Sequence, residues 1–457
     1  MKKILRSTLL FAVLVFAGCE DFVTGVEELD PTRPTDADLR QIFIATEVEF
    51  MGTMEGELAR YAGMFSGYFT GIDRQHKGYQ DYNMSATDFD TPWGNVYTFT
   101  LGQARITQQK AAALNNKITL GIAQVMEAHL IGTAASIWGD VPYREAVNVK
   151  EFPNPKYDPQ AQVIDDVLLL LDEAIANLTT GAGGRDGDFL GTGTAQWIKI
   201  ANSIKARYLL YKEDYAGSLA AANLGILAPA DNMLAPHGPT LNQNQNSYYD
   251  FLVNKRAGDL AANGAFLPNL LNGVVGQRNN AKTGEAARAQ RYYSGAGPAY
   301  SINTSSTGFF AVSASFPLFT SAENLLTRAE CKVRTNDLAG ALADLNTHRG
   351  HLRAAYPTGI YTDYVAADFQ AGGMENADNI VEADALLREI REEKYVSLYG
   401  QIEAFNEMRR TNFGVGVQPN TGSQHAKRFI YSQVESISNI NTPSPLPTIF
   451  TDTDLFD

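Results

Sequence analysis

Residues 118–143, ITLGIAQVMEAHLIGTAASIWGDVPY, form the stretch around which we expect the chain to fold. Apolar and small residues recur in it at close to helical spacing, which predicts a long helix over 118–138. Gly139 suits the position just after a helix end, and Pro142 prevents the helix from continuing. The many Ala and Gly residues allow a second helix to approach closely. Trp138 ends an apolar helix, so we expect it in the core.

The helical period recurs along the chain. It predicts further helices over 36–60, 93–115, 159–178, 194–213, 215–226, 383–399 and 401–411. Ala329 and Ala341 lie twelve residues apart and Leu345 follows, a spacing found in tetratricopeptide repeats. Asn336 or Asp337 can cap the second helix of that pair. Such pairs bury their apolar faces only by stacking, so the sequence predicts a mainly α fold of stacked tetratricopeptide-like helix pairs. Because this spacing is not specific to tetratricopeptide repeats, a generic helical bundle is the alternative fold.

Two stretches, 61–92 and 231–316, are rich in Tyr, Gly, Asn and Gln, and the second has no helical period. We interpret them as long irregular insertions. Compact proteins rarely keep loops of this length unless the loops have a function.

The N-terminus is typical of an exported lipoprotein. Residues 1–18 have a basic start and a short apolar run, which predicts a signal peptide. They end in Phe16-Ala17-Gly18 before Cys19, so we expect cleavage there and lipidation of Cys19; ordinary secretion is the alternative. Residues 19–38 are predicted to be a tether. Lipidation of Cys19 would leave only Cys331, and so no disulfide framework.

The amino-acid composition indicates a globular protein and limits the kinds of partner that we expect. The hydrophobic fraction of 44% is that of a globular protein, and the net charge of −14 argues against a nucleic-acid partner.

Several motifs resemble, in chain order, those of the SusD/RagB family of outer-membrane nutrient-binding lipoproteins. They are the lipobox at Cys19, WGDVPY (138–143), IANSIKARYL (200–209), AENLLTRAE (322–330), REIREEKYVSLYGQIEAFNEMRR (388–410), and RFIYSQVE (428–435) with NIN (439–441). Lys394-Tyr395, Gln401-Ile402, Ser432 and Ile440 depart from the family pattern.

The resemblance implies a single SusD-like domain over 39–457. Its helical frame would occupy about 93–226 and 318–411, and its ligand-binding insertions 61–92 and 231–316. It also implies a surface-exposed, lipid-anchored outer-membrane protein that binds a nutrient and passes it to a TonB-dependent, SusC-like barrel. An acidic pair, Glu20-Asp21, resembles the family's surface-export tag.

Catalytic, metal and cofactor sites are not expected. His348 and His351 lack the Glu of a zinc-protease helix, and we interpret them as a solvated helix end. Three acidic residues near 390 are best explained by ion pairs within their own helix. They are Glu389, Glu392 and Glu393, with Arg388, Arg391 and Lys394 as partners.

The polar-aromatic insertions suit an oligosaccharide, because aromatic faces cover the C–H faces of a sugar and polar groups bind its hydroxyls. The candidate ligand-binding residues are Tyr68, Asp73, Arg74, Tyr79, Tyr82, Trp93, Tyr292, Tyr293, Tyr300 and Phe309, with Asn83, Asn246 and Arg291 as polar partners. The alternative for each ring is packing of its loop onto the helices. A peptide ligand, a glycan-processing enzyme and a protein-interaction scaffold remain open.

Overall fold

The computed structural model describes residues 37–276, 278–295 and 299–456. The predicted signal peptide (1–18), Cys19 and all but the last two residues of the predicted tether (19–38) lie outside the described residues.

The first half of the chain is a run of helices. They are α1 (Leu39–Met54), α2 (Glu57–Phe65), α3 (Arg74–Gln80), α4 (Asp90–Gly94), α5 (Gly102–Ala113), α6 (Lys117–Trp138), α7 (Gln160–Thr180), α8 (Thr194–Tyr211) and α9 (Tyr215–Asn223). A 3₁₀ turn at Ala86–Phe89 precedes α4, and a π-helix at Asn95–Leu101 joins α4 to α5.

The second half alternates short and long elements. Its helices are α10 (Ser247–Tyr249), α11 (Phe266–Leu271), α12 (Ala286–Tyr292), α13 (Ser321–Arg334), α14 (Leu338–Ala355), α15 (Glu382–Ser397), α16 (Glu403–Arg410) and α17 (Gln433–Ser438). The strands from both halves are β1 (Thr70–Gly71), β2 (Met233–Ala235), β3 (Leu260–Ala261), β4 (Thr283–Gly284), β5 (Tyr293–Ser294), β6 (Ser301–Ile302), β7 (Phe316–Phe319) and β8 (Ile360–Tyr361). They form antiparallel pairs β1–β3, β2–β7, β4–β8 and β5–β6.

Helix α6 is the centre of the fold. The Asn116 side chain caps its start by accepting the Thr119 N–H at 3.1 Å, and Gly139 ends it with φ +83°. By length and hydropathy α6 matches a membrane-spanning helix, but its apolar stretch is entirely buried. A Cβ at Gly132 would lie 2.2 Å from Cζ of Tyr208 on α8, so small residues permit the close packing. Trp138 is fully buried, as predicted.

Three of the predicted helix pairs are confirmed. Helix α7 packs along α6, α9 along α8, and α14 along α13. Ala329 and Ala341 are fully buried in one cluster with Leu345, and the Asp337 side chain caps α14 by accepting the Gly340 N–H at 2.8 Å. The mainly α, tetratricopeptide-like fold class is therefore confirmed.

Two segments differ from the prediction. The helix expected over 36–60 breaks at Gly56, where a Cβ would lie 2.5 Å from the Gly52 carbonyl oxygen. Segment 61–92 is more helical than its loop-like composition predicts, because its aromatic rings interlock with each other in the core. The Tyr61 ring meets those of Tyr79 and Phe89 edge-on, with centroids 5.3 and 5.8 Å away. Segment 231–316 holds only short elements within its described residues, as expected.

A buried charge cluster joins four of the long helices. The Arg207 guanidinium on α8 donates to Glu323 on α13 at 2.6 and 2.8 Å and to Glu403 on α16 at 3.0 Å. It also contacts His129 Nε2 on α6 at 2.9 Å. Burial, then the adjacent Arg207, holds the pKa of His129 well below its ordinary value. The neutral ring therefore accepts the Arg207 proton at Nε2.

Replacing Arg207 with Leu should leave Glu323 and Glu403 buried without a counter-ion. We expect the free energy of unfolding to fall by about 3–5 kcal/mol, measured by urea denaturation. Lys212→Ala is the control, because Lys212 forms an exposed ion pair with Asp165; its loss should cost about 1 kcal/mol or less. Similar losses for both variants would contradict a structural role for the Arg207 cluster.

A second buried carboxyl, Glu47 on α1, lies against the link between α7 and α8. Its Oε2 accepts the Phe189 N–H at 3.0 Å. Burial, and then the nearby Asp188 carboxylate, raises its pKa to about 9 from an ordinary 4.5. Between these values the folded protein keeps a proton that the unfolded chain has lost, so stability falls as pH rises.

Glu47→Gln removes this titration while keeping the length of the side chain and an oxygen that can accept the Phe189 N–H. We expect the wild-type free energy of unfolding to fall more steeply than that of the variant as pH rises from 4.5 toward 9. The difference in slope approaches about 1.4 kcal/mol per pH unit. The measurement is urea denaturation across that range. Glu173→Gln, at an exposed position, should follow wild type; parallel curves for wild type and Glu47→Gln would refute the assignment.

Candidate ligand-binding site

The two polar-aromatic segments lie against each other. Strand β1 of the first pairs with β3 of the second, and His76 Nδ1 lies 3.0 Å from an Asp259 carboxylate oxygen. Arg74 pairs with the same Asp259 and donates to the Ala257 carbonyl at 2.8 Å. Asp73, which is exposed, caps α3 through the Arg74 N–H at 2.8 Å. Arg74 and His76 thus hold the two segments together, and Asp73 caps the helix that carries them.

Half of the predicted ligand-binding residues are buried, and their rings pack the loops onto the helices. Tyr68, Tyr79, Trp93, Tyr292 and Tyr293 are all at most 6% exposed. The hydroxyl groups of the tyrosines are already used: Tyr293 donates to the Tyr68 carbonyl at 3.1 Å and Tyr79 to an Asp88 oxygen at 2.7 Å. These five rings have no face open to a ligand. We therefore remove them from the candidate contacts, which corrects the expectation from composition.

Tyr82, Tyr300 and Phe309 remain partly exposed. The Tyr82 hydroxyl accepts the Asn420 N–H at 3.0 Å, and its ring packs edge-on against Phe450 with centroids 5.3 Å apart. Tyr300 packs against the edge of the core. Phe309 differs from both because it lines a large surface pocket.

This pocket, here called the Phe309 pocket, has a volume of about 790 Å³. Three parts of the chain form it: α12, the loop before β7, and the turn after α14. The lining residues are Ala287, Gln290, Arg291, Thr307, Phe309, Ala355, Tyr356, Pro357 and Thr358. Its size falls within the range of small-molecule sites.

Hydrogen bonds fix the polar and aromatic walls of the Phe309 pocket. Arg291 donates to the Thr307 carbonyl at 2.5 Å, and the Phe309 N–H donates to the Arg291 carbonyl at 2.8 Å. The Phe309 ring rests edge-on against Tyr292 and Tyr399, with centroids 5.2 Å away in each case. The buried tyrosines therefore support an aromatic side chain that does reach the surface.

The chemistry of the Phe309 pocket suits a sugar. Phe309 and Tyr356 offer ring faces, while the Arg291 guanidinium and the Gln290 amide offer hydrogen-bond donors. Phe309 and Arg291 were among the residues predicted from the sequence, whereas Gln290 and Tyr356 were not. The sequence Tyr356-Pro357-Thr358-Gly359 directly after a helix was a signal for an aromatic turn at the surface.

A buried charge cluster holds α12 in place behind the pocket. Arg288 donates to Glu285 and Glu393, each at 2.7 Å. His348 Nε2 lies 2.8 Å from Glu393 Oε1, so the prediction that His348 belongs to a solvated helix end is wrong. His348 faces inward from α14 because the buried carboxylate needs polar partners.

The prediction of ion pairs within α15 is also wrong. Its basic residues pair with other elements: Arg388 with Asp378, Arg391 with Glu330, and Lys394 with Glu407. The helix packs on several neighbours, and its charges neutralise theirs. Within the described part of the chain, no group of three His, Cys, Asp or Glu residues is arranged to hold a metal ion.

Comparison with known proteins agrees with this architecture. Among solved structures, a SusD/RagB family protein from Bacteroides thetaiotaomicron is 20% identical, covers 89% of this chain and 95% of that chain, and has a TM-score of 0.60. A SusD homologue from Bacteroides uniformis is 17% identical, with coverages of 92% and 100% and a TM-score of 0.67. A chitin-binding protein is 18% identical, with coverages of 88% and 94% and a TM-score of 0.65.

These structures share the fold. No curated protein matches the chain. A family model, SusD-like, described as "Starch-binding associating with outer membrane", matches residues 31–433. Because that match covers most of the sequence, the chain belongs to the SusD-like branch of the SusD/RagB family.

Proposed function

We propose that this protein is a surface lipoprotein of the outer membrane that binds an oligosaccharide in the Phe309 pocket. The observation that carries the proposal is the convergence of two partly exposed rings, an arginine and a glutamine around about 790 Å³. The family's starch-binding description and the fold shared with a chitin-binding protein support a glycan ligand.

Binding without hydrolysis follows from the lining of the pocket. Glycosidases usually place two carboxyl groups beside the scissile bond. Among the described residues that line the Phe309 pocket, none carries a carboxylate. The pocket therefore offers recognition groups without the acid and base that cleavage requires.

In this proposal the bound glycan passes to a TonB-dependent, SusC-like outer-membrane barrel. The resemblance to SusD/RagB lipoproteins and the family's association with the outer membrane support that partner. The lipobox before Cys19 supports the anchor, since two or more acyl chains bind a membrane stably where one does not.

Phe309→Ala and Tyr356→Ala should each weaken glycan binding about tenfold, a loss of about 1.4 kcal/mol. The measurement is calorimetric titration of the mature protein with maltooligosaccharides and chitooligosaccharides. Phe99→Ala is the matched control, because Phe99 is 50% exposed and lies outside the pocket. It should leave the affinity unchanged.

Equal affinities for wild type and both pocket variants would contradict this site. Analysis of the titrated sugars by chromatography tests the mechanism at the same time. Shortened products that appear with purified protein would identify an enzyme instead of a binder.

Cys19→Ala should abolish lipid labelling and release the protein from membranes. The measurement is incorporation of labelled palmitate, followed by fractionation. Cys331→Ala is the control, because the Cys331 thiol is buried and donates to Ser218 Oγ at 3.2 Å. Labelled, membrane-bound Cys19→Ala protein would refute the anchor.

A further inference from the structure

A second, acidic pocket lies where α15 faces the loop before it. Its volume is about 270 Å³. The lining residues are Gly276, Glu375, Asp378, Arg388, Glu389 and Glu392. None of them lines the Phe309 pocket, so the acidic pocket is separate from the proposed glycan site.

Two of the four carboxylates in the acidic pocket, those of Glu375 and Asp378, are held by hydrogen bonds at the rim. Arg388 holds Asp378 through two bonds of 2.7 and 3.0 Å. Glu375 Oε1 accepts the Asn280 amide at 2.6 Å and the Tyr364 hydroxyl at 2.5 Å. Arg388 also donates to the Glu375 carbonyl at 2.8 Å. These contacts shape the outer wall and balance the charge of Asp378, whereas the Glu375 carboxylate is held by neutral donors.

Glu389 is different. It is 6% exposed, and its Oε1 has no hydrogen-bond partner. Its nearest cation, Nη1 of Arg278, lies 3.8 Å away and donates instead to Glu392 at 3.1 Å. A buried carboxylate oxygen without a partner costs free energy that a bound donor would recover.

Arg278 cannot supply the missing charge, because two further carboxylates share it. Its Nε donates to Glu285 at 2.8 Å, and its Nη2 pairs with Glu393. Burial, followed by the neighbouring carboxylates of Glu375, Glu392 and Glu393, raises the pKa of Glu389 well above its ordinary value despite Arg278. The raised pKa favours a proton on Glu389, which a bound cation would displace.

We propose that the acidic pocket binds the protonated primary amine of a small ligand such as an amino sugar, with Glu389 Oε1 and Glu392 as its acceptors. An ammonium group has three donors and tolerates irregular geometry. A metal ion fits less well, since the described residues offer no set of three ligands for one.

The ligand body has room beside the ammonium position. A neighbouring pocket of about 300 Å³ shares Arg388 and Glu392 with the acidic pocket and adds the apolar side chains of Leu387 and Val415. In this proposal the body of the ligand extends past Arg388 and Glu392, so that its apolar face meets these two side chains.

Calorimetric titration of the mature protein with D-glucosamine in slightly acidic buffer tests the proposal. N-acetyl-D-glucosamine, which lacks the charge, should bind at least tenfold more weakly. Glu389→Gln should weaken glucosamine binding at least tenfold. Glu382→Gln, in the first turn of the same helix, should not.

Two further readouts separate binding from folding. Glu389→Gln should melt no lower than wild type, because it removes an unpartnered buried acid. Titration in buffers of different ionisation enthalpy should show proton release on glucosamine binding by wild type and none by Glu389→Gln.

Equal glucosamine affinity for wild type and Glu389→Gln would overturn the proposal, as would preference for the N-acetylated sugar. A calcium titration that depends on Glu389 while glucosamine does not bind would identify a metal site instead. Binding of neutral glycans at the Phe309 pocket is measured independently, so either proposal can fail alone.

Discussion

The burial of the Arg207 side chain is the constraint on which the helical frame depends. A guanidinium in the core is tolerated only if carboxylates neutralise it in good geometry. Glu323 and Glu403 meet this need from two other helices, at 2.6–3.0 Å. A different packing of α8, α13 and α16 would separate these charges, so the cluster selects one arrangement among those that apolar faces alone allow. Three of the motifs shared with the SusD/RagB family supply its members.

The insertion around α12 is held to the frame by the same kind of interaction. Arg278 and Arg288 reach from it to Glu393 on α15. Buried tyrosines add a second kind of link, because their hydroxyls donate to main-chain carbonyls of distant segments: Tyr292 bonds to Val396 at 3.3 Å and Tyr248 to Gly400 at 2.8 Å. Most tyrosines of the insertions therefore stabilise the loops, and only a few rings reach the outer surface.

The difference between buried and surface aromatic residues explains what could and could not be predicted from the sequence. Helices follow from local periodicity, so α7, α8 and α15 were predicted close to their observed bounds. The Phe309 pocket joins residues from three separated parts of the chain, and nothing local links Phe309 to Tyr356. Composition also could not separate a buried Tyr292 from an accessible Phe309. His348 was misjudged because its partner, Glu393, lies 45 residues further along the chain.

The two pockets share a physical support. Glu393 pairs with Arg288, which precedes the Gln290 and Arg291 that line the Phe309 pocket. It also pairs with Arg278, whose other contacts include Glu392 of the acidic pocket. A cation beside Glu389 would compete with Arg278 for negative charge and leave Arg278 more fully to Glu285 and Glu393. Those are the carboxylates that position Arg288 and hence α12. A charge bound in the acidic pocket would therefore act on the contacts that hold one wall of the Phe309 pocket.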